Sequence, residues 1–293
     1  MDAAQIQQVR RFNRAVTRRV GALDQSYLSR GRPLAEARII FEAGPQGVDV
    51  RVLRNRLGLD SGYLSRLLNS LKAQGLARVS ARPSDRRARR VTLTRKGRDE
   101  LQAYDRLSDE LARSMLAPLE EAQCARLLAA MNEVEGLIRA ASVEVRQASP
   151  SGPEGSWCLA EYYRELDERF EGGFDPAIGN SNGDAELTPP AGIFVIASLD
   201  AEPIGCGGLK FESAGMAEIK RVWTAPSARG IGVAGKMVRT LETLARERGS
   251  KIVHLDTNRA LKEAQALYRS MGYREVARYN DNPYAHCWFK KDL

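Results

Sequence analysis

The sequence predicts a two-domain protein: a mainly helical winged helix-turn-helix unit, then an α/β unit built around a glycine-rich strand-to-helix turn. Three observations carry this. Charge is split, with 27 Lys and Arg against 17 Asp and Glu in residues 1–146, and 18 against 20 in residues 147–293. Only the first half is basic, which points to a polyanionic partner for that half and a different task for the other. Between them, Gln147 to Ser156 is rich in Pro, Gly and Ser and is expected to be a short flexible linker. Across it the apolar spacing changes from helical stripes to strands around a glycine-rich turn.

The first half begins with an expected helix over residues 3–29, with Val9, Phe12, Val16 and Val20 on one stripe. Pro33 interrupts it, and Leu34 to Glu42 resumes as a short helix. Val50 to Leu57 is a further helix, followed by the turn Gly58-Leu59-Asp60. Asp60 or Ser61 is placed to cap the next helix by accepting from a free backbone N–H. That helix carries Leu64, Leu67, Leu68 and Leu71 on one face, with Ser61, Tyr63, Ser65, Arg66 and Asn69 off it. Two short helices around a tight turn, the second with a polar, arginine-bearing face, match helix-turn-helix geometry. Two β-prone stretches come next, Leu76–Ser80 and Arg90–Thr94, around a tip that holds Arg86, Arg87 and Arg89. This is a hairpin with a cationic tip, either a DNA-reaching wing or a solvated charge run. Two long helices close the half; Leu101 to Met115 and Leu127 to Ile138 mark their apolar stripes, which need a partner surface from this chain or a second copy.

Residues 1–145 resemble the MarR family of winged-helix regulators. The specific part runs from Leu53 to Gly97, through Ser61-Gly62-Tyr63-Leu64-Ser65-Arg66-Leu67, Gly75-Leu76, Asp85-x-Arg87 and Leu93-Thr94-x-x-Gly97. The resemblance implies a homodimer on a palindromic double-stranded DNA operator, with recognition helices in major grooves and wing arginines in the minor groove. Arg66 suits a bidentate contact to a guanine edge, worth roughly 1–3 kcal/mol of discrimination. Arg86, Arg87 and Arg89 suit phosphate or a narrow minor groove.

In the second half, Trp157 to Phe170 is an expected helix, then come an acidic, glycine-rich loop and a polar, mobile segment over 179–190. Ile193–Leu199 and Ile204–Lys210 form a hairpin, where Gly205, Gly207 and Gly208 suggest a bulge or close backbone approach. Ala217 to Thr224 is a strand, Pro226 stops it, and Arg229-Gly230-Ile231-Gly232-Val233-Ala234 opens a helix with Met237, Val238, Leu241, Leu244 and Ala245 on one face. Unpaired N–H groups at such a helix start, with glycines that admit close approach, favour an anion. The turn lacks both the nucleotide P-loop ending and the dinucleotide spacing. A buried strand over Lys251–Asp256, a helix capped by Thr257 or Asn258 that runs through Tyr268, and two β-prone segments finish the chain.

This order, with Arg229-x-x-Gly232-x-Ala234 and Ala266-Leu267-Tyr268-x-x-Met271-Gly272-Tyr273, resembles the GNAT N-acetyltransferases over residues 157–293. The resemblance implies an α/β fold with a mixed, mostly antiparallel sheet, and acetyl-CoA as co-substrate. Arg229 and the N–H groups of Gly230, Ile231, Gly232, Val233 and Ala234 would hold the diphosphate. Ile219, Val222 and Trp223, with Thr224 beside them, would line the pantetheine arm, which Asn258 would touch unless it only caps its helix. Glu218 is placed as the family's base in some members, or it pairs with Lys220. Tyr268 is placed as the acid that protonates the thiolate, or it is a core aromatic.

The expected function is a transcriptional regulator fused to an N-acetyltransferase that passes acetyl directly to a primary amine, on a small molecule or a protein lysine. The alternative is a regulator whose second domain senses acyl-CoA without catalysis. Scattered Cys124, Cys158, Cys206 and Cys287, with His254 and His286, give no metal spacing, so no metal is expected. The sequence lacks a membrane-length apolar run and a signal-peptide pattern, so a cytoplasmic protein without membrane contact is expected.

Overall fold

The computed structural model describes residues 2–82, 85–179, 183–212 and 215–293, apart from the side chains of residues 82–88. The chain forms two compact units, Met1–Ala130 and Met131–Leu293.

In the first unit, α1 (Ala3–Arg19) starts at Asp2, whose carboxylate accepts from the Gln5 amide at 2.8 Å. The helix stops well short of residue 29, because Gly21 takes a left-handed φ of 65° just past its end. Tyr27–Ser29 is a separate 3₁₀ turn. Next come α2 (Leu34–Ala43), β1 (Val48–Asp49), α3 (Val50–Leu57), α4 (Ser61–Ala73) and the hairpin β2 (Ala77–Arg82) and β3 (Asp85–Leu93). The sheet order is β1-β3-β2. Leu53, Leu64, Leu71, Leu76 and Val91 fill the core beneath the helix pair. Then α5 (Arg95–Leu116) is capped by the Thr94 hydroxyl, which accepts from Gly97 N–H at 3.0 Å. Gly97 has no substitute here: a Cβ would lie 2.0 Å from the Leu76 carbonyl oxygen. Buried Glu100 is neutralised by Arg30 at 2.7 Å and Arg32 at 2.6 Å. The boundary between the units falls inside α6 (Glu121–Ser142).

The second unit is a seven-stranded sheet with its helices, built from β4 (Glu144–Ala148), α7 (Pro153–Arg169), α8 (Pro176–Gly179), β5 (Gly192–Leu199), β6 (Glu202–Phe211), β7 (Met216–Thr224), α9 (Val233–Glu247), β8 (Ile252–Thr257), α10 (Lys262–Ser270), β9 (Arg274–Val276) and β10 (Cys287–Asp292). Its order is β4-β5-β6-β7-β8-β10-β9, antiparallel throughout except for the parallel pair β7 and β8.

The segment expected as a linker at 147–156 is structured instead. Gln147 and Ala148 end β4, which pairs with β5 from Glu144↔Ser198 to Ala148↔Phe194, and Pro153 already starts α7. Its Pro and Gly residues form a tight strand-to-helix turn: a Cβ on Gly155 would meet the Ser149 carbonyl oxygen at 2.3 Å. The polar stretch after residue 182 is also ordered, as a 3₁₀ turn over Gly183–Leu187 that buries Glu186 and Leu187. The β5–β6 hairpin turns at Asp200 and Ala201, both at positive φ, as a two-residue turn of this hand requires. On one sheet face, Val238, Leu241 and Ala245 of α9 pack against Ile193, Val195, Leu209 and Ile219. On the other, Cys158 and Leu159 of α7 pack against Phe194, Ile196 and Trp223. All four cysteines are free thiols, Cys158 and Cys206 buried. No described helix is long and apolar enough to cross a membrane.

Candidate functional site

Strand β7 organises the site through a change of partner and a bulge. It pairs with β8 at Met216↔Ile252, Ala217↔Val253 and Glu218↔His254, and from Ile219 to Thr224 it carries no pairing to β8. On its other side the β6 register shifts between Cys206 and Gly208. There Arg221 sits at φ 55°, a strained value for a side-chain-bearing residue. Its buried guanidinium is held by Asp184 at 2.9 Å, Glu186 at 3.2 Å and the Gly183 carbonyl at 2.8 Å. A bulge re-aims the side chains beyond it: Glu218 and Lys220 lie opposite the face of Ala217 and Ile219, and Val222, Trp223 and Thr224 come to line a cavity with the glycine turn. The glycines on β6 permit this close packing, since a Cβ on Gly205 would meet the Trp223 carbonyl at 2.6 Å.

That cavity encloses about 410 Å³ between the second half of β7, α7, α9 and α10. The turn supplies Arg229, Gly230, Gly232, Val233 and Ala234, and α10 supplies Leu267 and Tyr268. Gly230 and Gly232 adopt φ of 80° and 84°, and added Cβ atoms would meet nothing within 4 Å, so backbone conformation rather than space selects glycine. Gly232 caps α9 without a side-chain bond, leaving the first-turn N–H groups for a ligand. The buried Thr224 hydroxyl has no hydrogen-bond partner among the described residues. A cavity of this size with apolar walls, a helix start whose N–H groups are free and an orphaned hydroxyl fits a diphosphate with an extended amide arm.

Three residues expected at the cofactor have side chains outside this cavity's lining, and the first, Ile219, is buried in the core with Val238 and Leu241. The Ile231 side chain is outside the lining and packs with Val143, Val233 and Met237, while its main chain remains part of the glycine turn. Asn258 also lies outside the lining. Its Nδ2 donates to the Tyr284 carbonyl at 2.8 Å, and its Oδ1 accepts from Ala260 N–H at 2.9 Å. It shapes the β8–α10 turn, and Leu261, not Asn258 or Thr257, is the N-cap of α10.

Glu165, the first of the acidic residues Glu165, Asp167, Glu168, Glu171 and Asp175, whose pattern suits either a cationic acceptor or a solvated face, lines this cavity. Its Oε2 accepts from Trp223 Nε1 at 2.8 Å and from Arg229 Nη2 at 2.5 Å, and Arg169 pairs with its Oε1 at 3.2 Å. Nothing in the α7 spacing distinguishes it from its solvated neighbours; only the packing of α7 against β7 does.

Glu218 faces a second cavity of about 830 Å³ on the sheet face opposite Ala217 and Ile219. It is 5% exposed. Burial raises its carboxyl above the usual range, opposed by Lys220 and reinforced by Asp256, with Lys210 and His254 lowering it. Lys220 Nζ lies 3.5 Å and Lys210 Nζ 3.8 Å from its Oε2. Glu218 is therefore paired with Lys220 and, through burial, takes up a proton more readily than an ordinary carboxylate. Tyr268 is both a core aromatic, 5.7 Å from the Tyr273 ring and 6.0 Å from Phe289, and a wall of the first cavity. Burial, then the Asp256 carboxylate, push its hydroxyl well above the ordinary tyrosine range, so it keeps its proton at neutral pH. Among the described residues no group of His, Cys, Asp and Glu side chains is placed to hold a metal ion.

In the first unit, Asp60 caps α4 by accepting from Tyr63 N–H at 2.8 Å, and Gly58 closes α3 in the left-handed conformation. Burial of Leu64, Leu67, Leu68 and Leu71 fixes the rotation of α4 and turns Ser61, Tyr63, Ser65, Arg66 and Asn69 outward, all exposed. The Arg66 guanidinium lies 5.6 Å from the Tyr63 ring centre. Arg89 is exposed on β3 opposite Ala81. Arg86 and Arg87 lie outside the described side chains.

This arrangement, a winged helix-turn-helix followed by a sheet splayed beside a glycine-rich helix start, defines a DNA-binding class of fold joined to an acyltransferase class. Residues 30–88 match the family model described as the MarR family, and residues 158–273 match that described as the acetyltransferase (GNAT) family. The chain carries a MarR-family domain and a GNAT-family N-acetyltransferase domain. It is 29% identical over 119 residues to an IAA acetyltransferase of Azospirillum brasilense, covering 40% of this chain and 77% of that protein. It is 31% identical over 90 residues to an uncharacterized N-acetyltransferase of Escherichia coli, covering 30% of this chain and little more than half, 54%, of that one. A solved GNAT-family acetyltransferase from Staphylococcus aureus aligns with 52% of this chain and 99% of its own, at 16% identity and a TM-score of 0.46.

Proposed function

We propose that the second unit transfers acetyl from acetyl-CoA to a primary amine, and that the first binds double-stranded DNA as a homodimer. The observation that carries the enzymatic reading is the position of β7: its second half lines the glycine-turn cavity, its first half presents buried Glu218 to the other cavity, and its pairing to β8 ends at Glu218. Acetyl-CoA supplies the acetyl group as an activated thioester. Gly230, Gly232, Val233, Ala234 and Arg229 bind its diphosphate, and the unpaired edge of Val222 to Thr224 accepts the pantetheine amides as an added strand. Glu218 takes a proton from the ammonium, so that a neutral amine nitrogen forms the new N–C bond as the C–S bond breaks. Tyr268 gives its proton to the departing sulfur, and the second proton, which the acylated nitrogen loses on becoming an amide, restores the Tyr268 hydroxyl. No covalent acyl-enzyme is needed.

For the first unit, the support is the exposed polar face of α4 and the excess of basic residues. The stripe Ile6, Val9, Phe12 and Val16 on α1, each 42–58% exposed, supplies an apolar face for a second copy. Mobility shift on DNA upstream of its own coding sequence, with the salt series that phosphate contacts require, tests this part. Thiol release from acetyl-CoA with an amine panel tests the enzyme. Acetyl-CoA binding that alters the mobility shift, with no amine turned over, would favour a sensor instead.

A further inference from the structure

The second cavity has its own charge pattern, set by strand register. Cross-strand partners place Lys210, Glu218, His254 and Lys290 in one row over β6, β7, β8 and β10. All four line the cavity. Most of its charges are satisfied internally. Lys220 pairs with Glu186 and Glu218, Lys210 with Glu212 and Glu218, and His254 Nε2 lies 2.9 Å from Glu212. Two are not. Lys290 has no carboxylate partner among the described residues. Asp256 accepts only amide hydrogens, from Asn280 at 2.6 Å and Asn282 at 3.0 Å, and meets no described cation. The row neighbouring Asp256 is open, because β7 has already left β8. At the other end Met216 and Ile252, paired across the strands, give an apolar floor.

The geometry points to an acceptor that is itself zwitterionic: an amino acid whose ammonium lies by Asp256 and Glu218, whose carboxylate meets Lys290, and whose apolar side chain lies toward Met216 and Ile252. This rests on the acetyl-transfer reading above and specifies its substrate. Lys290 is directly opposite His254, and Asp256 is two residues further along β8 on the same face. Cross-strand and diagonal neighbours on one face are about 5–8 Å apart. A molecule whose amine and carboxylate share a carbon spans that gap with one hydrogen bond at each end. A long polyamine has no second anion site to match, and an amine without an acid leaves Lys290 unpaired.

The test uses the full chain with saturating acetyl-CoA and thiol release as readout. The amines are the proteinogenic L-amino acids, their amides, and the decarboxylated amines of leucine and methionine. The expected result is a kcat/KM for an apolar amino acid about tenfold or more above that of its amide, the low end for a bond to a charged group. In Lys290→Met that ratio falls toward one, while Lys290→Arg retains a preference for the free acid. The ratio compares two substrates on one enzyme preparation, so loss of folded protein does not imitate it. Amides and simple amines used as well as the free acids, or a preference untouched in Lys290→Met, overturn the zwitterion and leave acetyl transfer standing. Acetyl-CoA binding by calorimetry with no amine turned over overturns both.

Discussion

Glu218 and His254 are the last residues paired between β7 and β8 before the two strands part. The carboxylate of Glu218 thus stands where the sheet opens, buried and held above its ordinary pKa. The groups that face it are Lys210, Lys220, His254, Asp256 and, from the segment after β9, Tyr279. A base acts in its deprotonated form, so activity is present above the raised pKa and is lost as pH falls through it. The acid limb of kcat/KM is expected above the usual carboxylate range. Glu218→Gln is expected to lower kcat/KM about 10²- to 10⁴-fold and to remove that limb. A pH–rate profile with the limb intact in the variant would exclude Glu218 as the base.

The same shift has a stability consequence of opposite sense. A carboxyl with a raised folded-state pKa contributes stability below its unfolded pKa, and that contribution is lost as pH rises through the folded value. At pH 8 Glu218→Gln is therefore expected to melt at or above the wild-type temperature, as a site kept for activity at some expense of stability. Thermal melts at pH 5 and pH 8 read this directly; a large loss at pH 8 alone would contradict it.

Tyr268→Phe keeps the ring against Tyr273 and Phe289 and removes only the hydroxyl. We expect kcat to fall about a hundredfold, acetyl-CoA affinity to hold, and stability to change by about 1 kcal/mol or less. A variant with unchanged kcat would return Tyr268 to a purely packing role.

At Gly232, φ of 84° makes any side chain strained although space is open. Gly232→Ala is expected to cost roughly 1–2 kcal/mol of stability and to weaken acetyl-CoA binding at least tenfold, because the turn that aims the N–H groups must shift. Calorimetric titration checks it; wild-type affinity in the alanine variant would contradict a main-chain diphosphate site.

On the first unit, Arg66→Ala is expected to cost roughly 1–3 kcal/mol on the operator and to relax preference at one base pair. Arg89→Ala should weaken binding evenly across sequences and reduce the salt slope by about one. Selection of preferred sequences by each variant separates the two; an unchanged preference for Arg66→Ala would remove it from base recognition.

Much of this was legible from local pattern. The leucine spacing of α4 fixed which side chains face outward, and Arg229 to Ala234 marked the helix start. What was not legible depends on register and packing. β4 is short and polar, and only its pairing with β5 makes it a strand, so Gln147 and Ala148 passed as linker. Glu165 looks like its solvated neighbours until α7 lies against Trp223. The row from Lys210 to Lys290 joins residues far apart in the chain, and no spacing within the sequence announces it. Asn258 looked like a helix cap because the turn it shapes, just before Leu261, has the same local chemistry.

The most direct test of the account is amine-dependent release of coenzyme A from acetyl-CoA, with mass spectrometry of the amine and of the protein in the same sample. Acetylated amine in step with thiol, no acetylated protein on the path, and loss of both signals in Glu218→Gln are the expected results. Acetyl-CoA bound at the glycine turn, with thiol release no faster when amine is added, would contradict the account.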